Sequence, residues 1–394
     1  MSLRSSFDRR RIMRSAAFVF TMMLFVLCCA PTRDAAYFTQ LGIDKMRTKL
    51  EAPGTEGSYA TDAANCLEKA IALDSTHGPA YAYLMFPYYT QSELGEIDRG
   101  TAMAKSRLAF ARAQELAPDH PATIIAAAFI KKNYDDDPAA AMTLLQRAIE
   151  LYPDNSETHR ELGWSYLIEA KLDLALEQAE LAIKADPDSK QACFLLGLVH
   201  QQLDNYEQAL AAFREKLSED TNNMYERIHI AYINLLIGHF DQAEEVARQN
   251  LKDHPNDAQV KDRLAYALAL NGKYDEALAL YTETNQRIAI SWVNGLLGNE
   301  EKAHQGIIEL QQSEESRTCG AIGAIYTGLG EFDKAIEAFE KALKSAQEHS
   351  NERDLHDIGR WLATEPWFRP VQEDPRMQAI IAQTGYQVNS NDGR

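Results

Sequence analysis

Cysteine is scarce and unpatterned in this chain of 394 residues. Of the five, Cys28 and Cys29 are adjacent in an apolar run near the start, and Cys66, Cys193 and Cys319 lie far apart. Without a Cys-x-x-Cys or a Cys/His cluster at metal-ligand spacing, neither a disulfide framework nor a zinc module is expected, and no metal site is expected elsewhere. The three isolated cysteines fall at small-residue positions of helices, where burial as apolar residues is expected. Glycine-rich phosphate loops of the GxGxxG or GxxxxGK[ST] kind are missing, as are HExxH and GxSxG. The ten histidines are scattered, and His200, His229 and His239 fall within helices or turns, where core or surface roles are expected. No pair of groups stands at a catalytic spacing, so no enzyme activity, no cofactor and no small-molecule substrate is evident. Proline is sparse, at 13, which suits long helices.

Positive charge is also in deficit. Lys and Arg number 40 against 58 Asp and Glu, for a formal net charge of -18. Residues 1–29 hold five arginines and one aspartate, so the remainder is more acidic still. Such a body repels phosphate backbones, and nucleic acid is not expected as a partner. The acidity also keeps an extended helical surface soluble. Hydrophobic residues at 45% and charged residues at 25% are those of a folded, soluble chain.

One long apolar run stands out. Arg9-Arg10-Arg11 and Arg14 precede Ser15–Ala30, a basic lead and short apolar core of the secretory type. Sixteen residues are short for a spanning helix, which needs about 20. Val26-Leu27-Cys28-Cys29 resembles a bacterial lipobox with Cys29 as the lipidation candidate, although Cys28 stands where Gly, Ala or Ser is usual. Three outcomes fit residues 1–30: a lipoprotein signal, a retained membrane anchor or an ordinarily cleaved signal peptide. In each the body is expected to be membrane-anchored, periplasmic or otherwise extracytoplasmic.

The body repeats itself. Pro118, Pro153, Pro187, Thr221 in the matching place and Pro255 follow one another at a nearly constant interval of about 34 residues. Between them, Gly163 with Ala175 and Ala179, Gly197 with Ala209 and Phe213, Ala265 with Ala277 and Tyr281, and Gly323 with Ala335 and Phe339 recur in phase. Small residues at those places let two antiparallel helices approach closely, and the large residues fill the space beside them. One pair cannot bury its apolar face alone, so neighbours must stack. The turns Asn271-Gly272-Lys273 and Leu329-Gly330-Glu331 join helices within a unit. Asp135-Asp136-Asp137, ahead of Pro138, is expected to cap a helix.

These residues resemble the tetratricopeptide repeat (TPR), which implies an all-α solenoid: a right-handed superhelix of antiparallel helix pairs. About eight pairs are expected over residues 31–346, the second carrying an insertion near Glu93–Gly100 and the seventh shortened. A capping helix and tail are expected over 347–394. Ala70-Ile-Ala-Leu-Asp74 and Gly78-Pro-Ala-Tyr81 at one end, and Glu365-Pro-Trp-Phe-Arg-Pro370 with Glu373-Asp-Pro-Arg-Met377 at the other, are similar to the TPR modules found C-terminal to bacterial Ser/Thr kinases, nucleotide cyclases and winged-helix regulators. No catalytic or DNA-binding domain precedes the repeats here, so only the interaction module is implied.

The resemblance further implies that the first helix of each pair lines a concave face. The residues at those positions are Arg160, Trp164 and Ile168; Phe194, Leu198 and Gln201; Tyr225, Ile228, Tyr232 and Leu235; then Gln259, Asp262 and Tyr266. Of these, Arg160, Trp164, Phe194, Leu198, Tyr225, Tyr232 and Tyr266 are the candidate groove for a protein or peptide, since aromatic side chains make good anchors. The same side chains can instead pack against the adjacent helix. The basic-plus-Asn clamp by which heat-shock chaperone adaptors hold carboxylate tails is missing, and Arg160 stands alone. The expected function is a non-catalytic scaffold, exported or membrane-attached, or alternatively a regulatory or sensor subunit of a signalling or transport complex.

Overall fold

The computed structural model describes residues 33–48, 58–215, 217, 223–311, 316–349 and 352–387. Residues 1–30, expected from the sequence to be an export or anchoring segment, and with them Cys29, lie outside the described residues. Every regular element among those described is helical, and none is long and apolar enough to cross a membrane. The chain divides into two compact units, one ending at Leu144 and the other beginning at Leu145.

The first unit contains α1 (Ala35–Thr48), α2 (Tyr59–Leu73), α3 (Gly78–Tyr83), α4 (Met85–Glu93), α5 (Arg99–Leu116) and α6 (Pro121–Asn133). The boundary between the units falls within α7 (Pro138–Leu151). The helix pattern running from Gly78 to Glu93 is broken after Tyr83 because Pro87 has no N–H to offer the Tyr83 carbonyl, and its ring crowds it. The segment expected as an insertion is a turn at 94–98 followed by α5, which Asp98 caps through the Thr101 N–H. Asp137 likewise accepts from the Ala140 N–H, while Asp135 pairs with Arg107 and Lys131. Ala102, Ala109 and Ala113 of α5 are buried in this unit.

The second unit continues with α8 (Ser156–Ile168), α9 (Leu172–Ala185), α10 (Lys190–Gln202), α11 (Tyr206–Glu215), α12 (Met224–Leu236), α13 (Phe240–Asp253), α14 (Ala258–Leu270), α15 (Tyr274–Glu283), α16 (Arg287–Leu296), α17 (Glu300–Leu310), α18 (Ser316–Leu329) and α19 (Phe332–His349). Among the described residues, α1–α19 reads in chain order as nine successive pairs, with α3 and α4 together forming one first helix. That is one more than the sequence count, and the additional pair is α14–α15.

The repeat is written in three registers. Ala141, Ala175, Ala209, Ala243 and Ala277, evenly spaced along the chain, are at most 2% exposed. The caps Asn155, Ser189 and Asp257 each accept a hydrogen bond from the N–H three residues on, satisfying a donor the helix start leaves open. Left-handed backbone recurs with the same spacing at Asp136, Ala170, Asp204, Gly238 and Gly272, then at Gly298 and Gly330 after the short unit. The close approach is equally specific. A Cβ at Gly197 would stand 2.6 Å from the Phe213 ring, and one at Gly323 would collide with Phe339.

Ala170 sits in this series at φ 53°, a conformation that costs a residue with a Cβ about 1 kcal/mol. Ala170→Gly is therefore expected to stabilise the protein by up to about 1 kcal/mol, less the added freedom of the unfolded chain. Urea denaturation tests this; a loss of stability would mean that the Ala170 methyl contributes packing that outweighs the strain.

After α19 the chain forms α20 (Glu352–Thr364), a 3-10 turn at Pro366–Phe368, α21 (Arg369–Gln372) and α22 (Pro375–Gln383). Asp374 caps α22 through the Arg376 N–H. Leu362, Phe368, Val371, Met377, Ile380 and Ile381 share a core with Ile336, Phe339 and Leu343 of α19. This tail is thus integral to the second unit.

Candidate functional site

Within the second unit α8 adjoins α10, α12 adjoins α14 and α16 adjoins α18, and side-chain contacts of His229 with Gln201 and Phe194 and of Tyr266 with Trp292 link these three into one face. The tail is seated on that face. Glu365, 7% exposed, lies between two tyrosines: Tyr232 Oη donates to Oε1, and Tyr266 Oη donates to Oε2 at 2.8 Å. No cation stands within ion-pair distance of Glu365 among the described residues. Two buried hydroxyl donors therefore hold this carboxylate. Burial, and then the facing Glu365 charge, push both tyrosine hydroxyls up from their ordinary pKa, so they remain donors.

Four further side chains of the tail anchor it: Arg360, Tyr386, Trp367 and Arg369. Arg360 donates to Asp204 Oδ1 at 2.9 Å, to Gln202 Oε1 at 2.7 Å and to the Gln201 carbonyl at 2.6 Å. Tyr386 Oη also donates to Asp204, at 2.6 Å. Burial works against the Arg360 charge, and Asp204 outweighs it, leaving the guanidinium pKa raised. The Trp367 indole stacks on Trp292, with centroids 4.4 Å apart and planes inclined by 20°, and leans on Tyr266 at 5.4 Å. Arg369 donates to the Leu235 and Leu236 carbonyls at the end of α12, where the Leu235 carbonyl also accepts from the Gly238 N–H.

The seven candidate groove residues fall into three groups. Tyr232 and Tyr266 are engaged by the tail. Arg160 is neutralised by Glu161 at 2.7 Å and Glu157 at 3.5 Å on its own helix. Trp164, Phe194 and Leu198 are half-buried side by side, Trp164 with Phe194 at 6.4 Å and Phe194 against Phe213 at 5.6 Å, while Tyr225 is exposed. Of the other inward positions, Leu235 is fully buried and Ile168 is exposed. The isolated cysteines also differ from the sequence expectation: Cys193 is buried, but Cys66 and Cys319 are only half-buried.

Sequence reading passed over the residues that organise the site from a distance: Asp204, Arg263, Trp292, Arg360, Glu365 and Trp367. Glu365 and Trp367 belong to the quoted Glu-Pro-Trp-Phe motif, which marks the tail but not its seat. The signal available in the sequence is that Asp204 stands where the later repeats have Gly238 and Gly272; the structure shows it buried and in left-handed backbone.

Between the tail and the face remains a cavity of about 1050 Å³. It is lined by Ile228, Tyr232, Gln259, Asp262 and Tyr266 from the sequence set, together with Arg263 and Trp361. His229 on its wall donates its Nδ1–H to Gln201 Oε1 at 2.9 Å and stacks on Phe213 at 5.2 Å. Burial, and then Arg263, hold its pKa down at about 4, from 6.5.

Between about 6.5 and 4 the unfolded chain takes up a proton on His229 that the folded chain refuses, so stability falls with acidification across that window. The loss is on the order of 3 kcal/mol. Glu244 is separable: burial opposes its charge, but hydrogen bonds from Lys273, Asn271 and Arg248 outweigh it and hold its pKa at about 2, so its contribution is lost only below about 4.5. Denaturation of wild type and His229→Gln at pH 7 and pH 5 tests this; an identical pH slope in both would assign the effect elsewhere.

A family model described as tetratricopeptide repeat matches residues 134–190, 161–223 and 237–286, and a second with the same description matches 316–349. Among curated proteins, the chloroplastic tetratricopeptide repeat domain-containing protein PYG7 of Arabidopsis thaliana is 36% identical over 92 residues, 22% of this chain and 31% of that protein. The human Protein SGT1 homolog is 26% identical over 102 residues, 26% of this chain and 28% of that protein. The match thus spans less than a third of either relative. Among solved structures, the APC/C hetero-tetramer Cut9-Hcn1 is similar in fold at a TM-score of 0.53 and 12% identity, over 88% of this chain and 55% of that one.

Proposed function

Because this chain is a tetratricopeptide-repeat protein, a scaffold for protein–protein contact, we propose that it holds a protein or peptide partner on the first-helix face of residues 145–387 and catalyses no reaction. One observation carries this reading: the face already holds a peptide segment, its own. A helix and a Glu-Pro-Trp-Phe turn are bound there by two tyrosine hydroxyls, an arginine–aspartate pair and a stacked indole. A surface that binds one such segment through its side chains has the chemistry to bind another. The half-buried Trp164, Phe194 and Leu198, together with the exposed Tyr225, supply further contact area on this face for a partner.

We place the body outside the cytoplasm, carried there by residues 1–30, with Cys29 as the lipid-bearing residue. Labelling with a lipid precursor is expected to mark wild type and not Cys29→Ala; equal labelling of both would overturn that assignment. The partner surface is tested by affinity capture from membrane extract. Trp164→Ala with Phe194→Ala is expected to reduce recovery of the bound protein, and unchanged recovery would overturn the groove assignment. The seated tail also favours a second reading, as a regulatory subunit whose face opens when the tail leaves. In that case Tyr232→Phe, which removes one hydroxyl from Glu365, increases recovery relative to wild type, whereas a simple scaffold shows no increase.

A further inference from the structure

Arg263 is anomalous in this acidic protein. Its guanidinium lies 4.3 Å from the Tyr232 ring centroid, on the wall of the cavity between the first-helix face and α20. It has no ion-pair or hydrogen-bond partner among the described residues, and its Nε is completely buried without an acceptor. Arg360, on the tail helix α20, satisfies its donors three times over. An arginine presents five N–H donors in a planar fork, and a buried donor left without an acceptor costs about 1–3 kcal/mol. The Tyr232 face offsets part of the charge but accepts none of the hydrogen bonds. Tyr281 lines the same cavity, and its hydroxyl also makes no hydrogen bond among the described residues. The carboxylates of Asp262 and Glu365 nearby are already engaged, Asp262 by Thr284 and Gln286 and Glu365 by the two tyrosines.

We infer that this cavity is a binding site for a small amphipathic monocarboxylate, its carboxylate taken by the Arg263 fork and the Tyr281 hydroxyl and its apolar body lying along Ile288, Ala289, Ala321 and Ile358. The volume of about 1050 Å³ is at the upper end for a small-molecule site. The apolar side chains form its larger surface, and Arg263 and Tyr281 bring unmatched donors to its wall. A carboxylate fits the fork in two parallel hydrogen bonds. Asp262, Asp357 and Glu365 also line the cavity, and their negative charge disfavours a dianion, which selects a carboxylate over a phosphate monoester. The inference is independent of which protein partner the face holds.

The test uses the full chain with decanoate, decanol and decyl phosphate, read by calorimetry and by the shift in melting temperature. Decanoate is expected to bind wild type and raise its melting temperature. Decanol and decyl phosphate are each expected to bind at least about tenfold more weakly, the loss that accompanies removing a charge-assisted hydrogen bond or adding an opposed charge. Arg263→Gln is expected to melt no lower than wild type, because the arginine has no hydrogen-bond or ion-pair partner to lose and the unsatisfied buried donor removed offsets the lost Tyr232 contact, and to bind decanoate about tenfold more weakly or not at all. Failure of decanoate to bind wild type, equal binding to Arg263→Gln, or equal binding of decanol would each overturn the inference. Decyl phosphate binding as well as decanoate would overturn the choice of a monoanion. If Arg263→Gln melts lower, the comparison of the three ligands on wild type still decides.

Discussion

Trp367→Ala is expected to destabilise the second unit by about 3 kcal/mol and to release the tail from the first-helix face. The indole makes a stacked contact with Trp292 at 4.4 Å and a tilted one with Tyr266 at 5.4 Å, and these two belong to the core cluster of α12–α16. Truncating a buried aromatic costs about 3–5 kcal/mol, and the half-buried position of Trp367 sets the value at the lower end. The loss should be larger than for Trp361→Ala, whose side chain is 38% exposed and touches Phe368 edge-on at 4.6 Å. Urea denaturation gives the energies, and hydrogen exchange over residues 352–387 reports the release. Equal effects of the two substitutions would show that Trp367 does not anchor the tail.

Glu365→Ala is expected to cost about 2 kcal/mol, and Glu365→Gln distinctly less. Alanine leaves the Tyr232 and Tyr266 hydroxyls buried without their acceptor, at about 1–3 kcal/mol each. Removing a buried charge recovers part of its desolvation, which brings the net figure down. Glutamine keeps one carbonyl oxygen as an acceptor and preserves the shape. The double substitution Tyr232→Phe and Tyr266→Phe in a Glu365→Ala background should restore part of the loss, since no orphaned donor remains. If alanine and glutamine cost the same, the hydroxyl–carboxylate pair is not what seats Glu365.

The array was legible in the sequence because its determinants are local and periodic. The buried series Ala141 to Ala277, the caps at Asn155, Ser189 and Asp257, and the left-handed turn residues all return with one shared period. Counting by prolines passed over α14–α15, because that pair ends in Asn285, itself in left-handed backbone at φ 58°, rather than in a proline. The seat of the tail was not legible. Its contacts join Asp204 to Arg360 and Tyr386, Tyr232 to Glu365 and Leu235 to Arg369, residues far apart in the chain. A repeat pattern describes how each unit meets its neighbours, and it contains nothing about which segment returns to cover them. Arg263 was missed for the same reason: beside the quoted Asp262 it reads as an ordinary surface charge until the tail encloses it.

A photo-crosslinking side chain at position 367 tests the central claim, that the chain's own tail occupies the first-helix face. Benzoylphenylalanine there keeps an aromatic group against Trp292, and mixing labelled with unlabelled protein separates crosslinks within a chain from those between chains. The expected result is an intrachain crosslink to the peptides that carry Tyr266 and Trp292, weakened by Glu365→Ala. Crosslinks only between chains, or none to those two helices, would contradict the account.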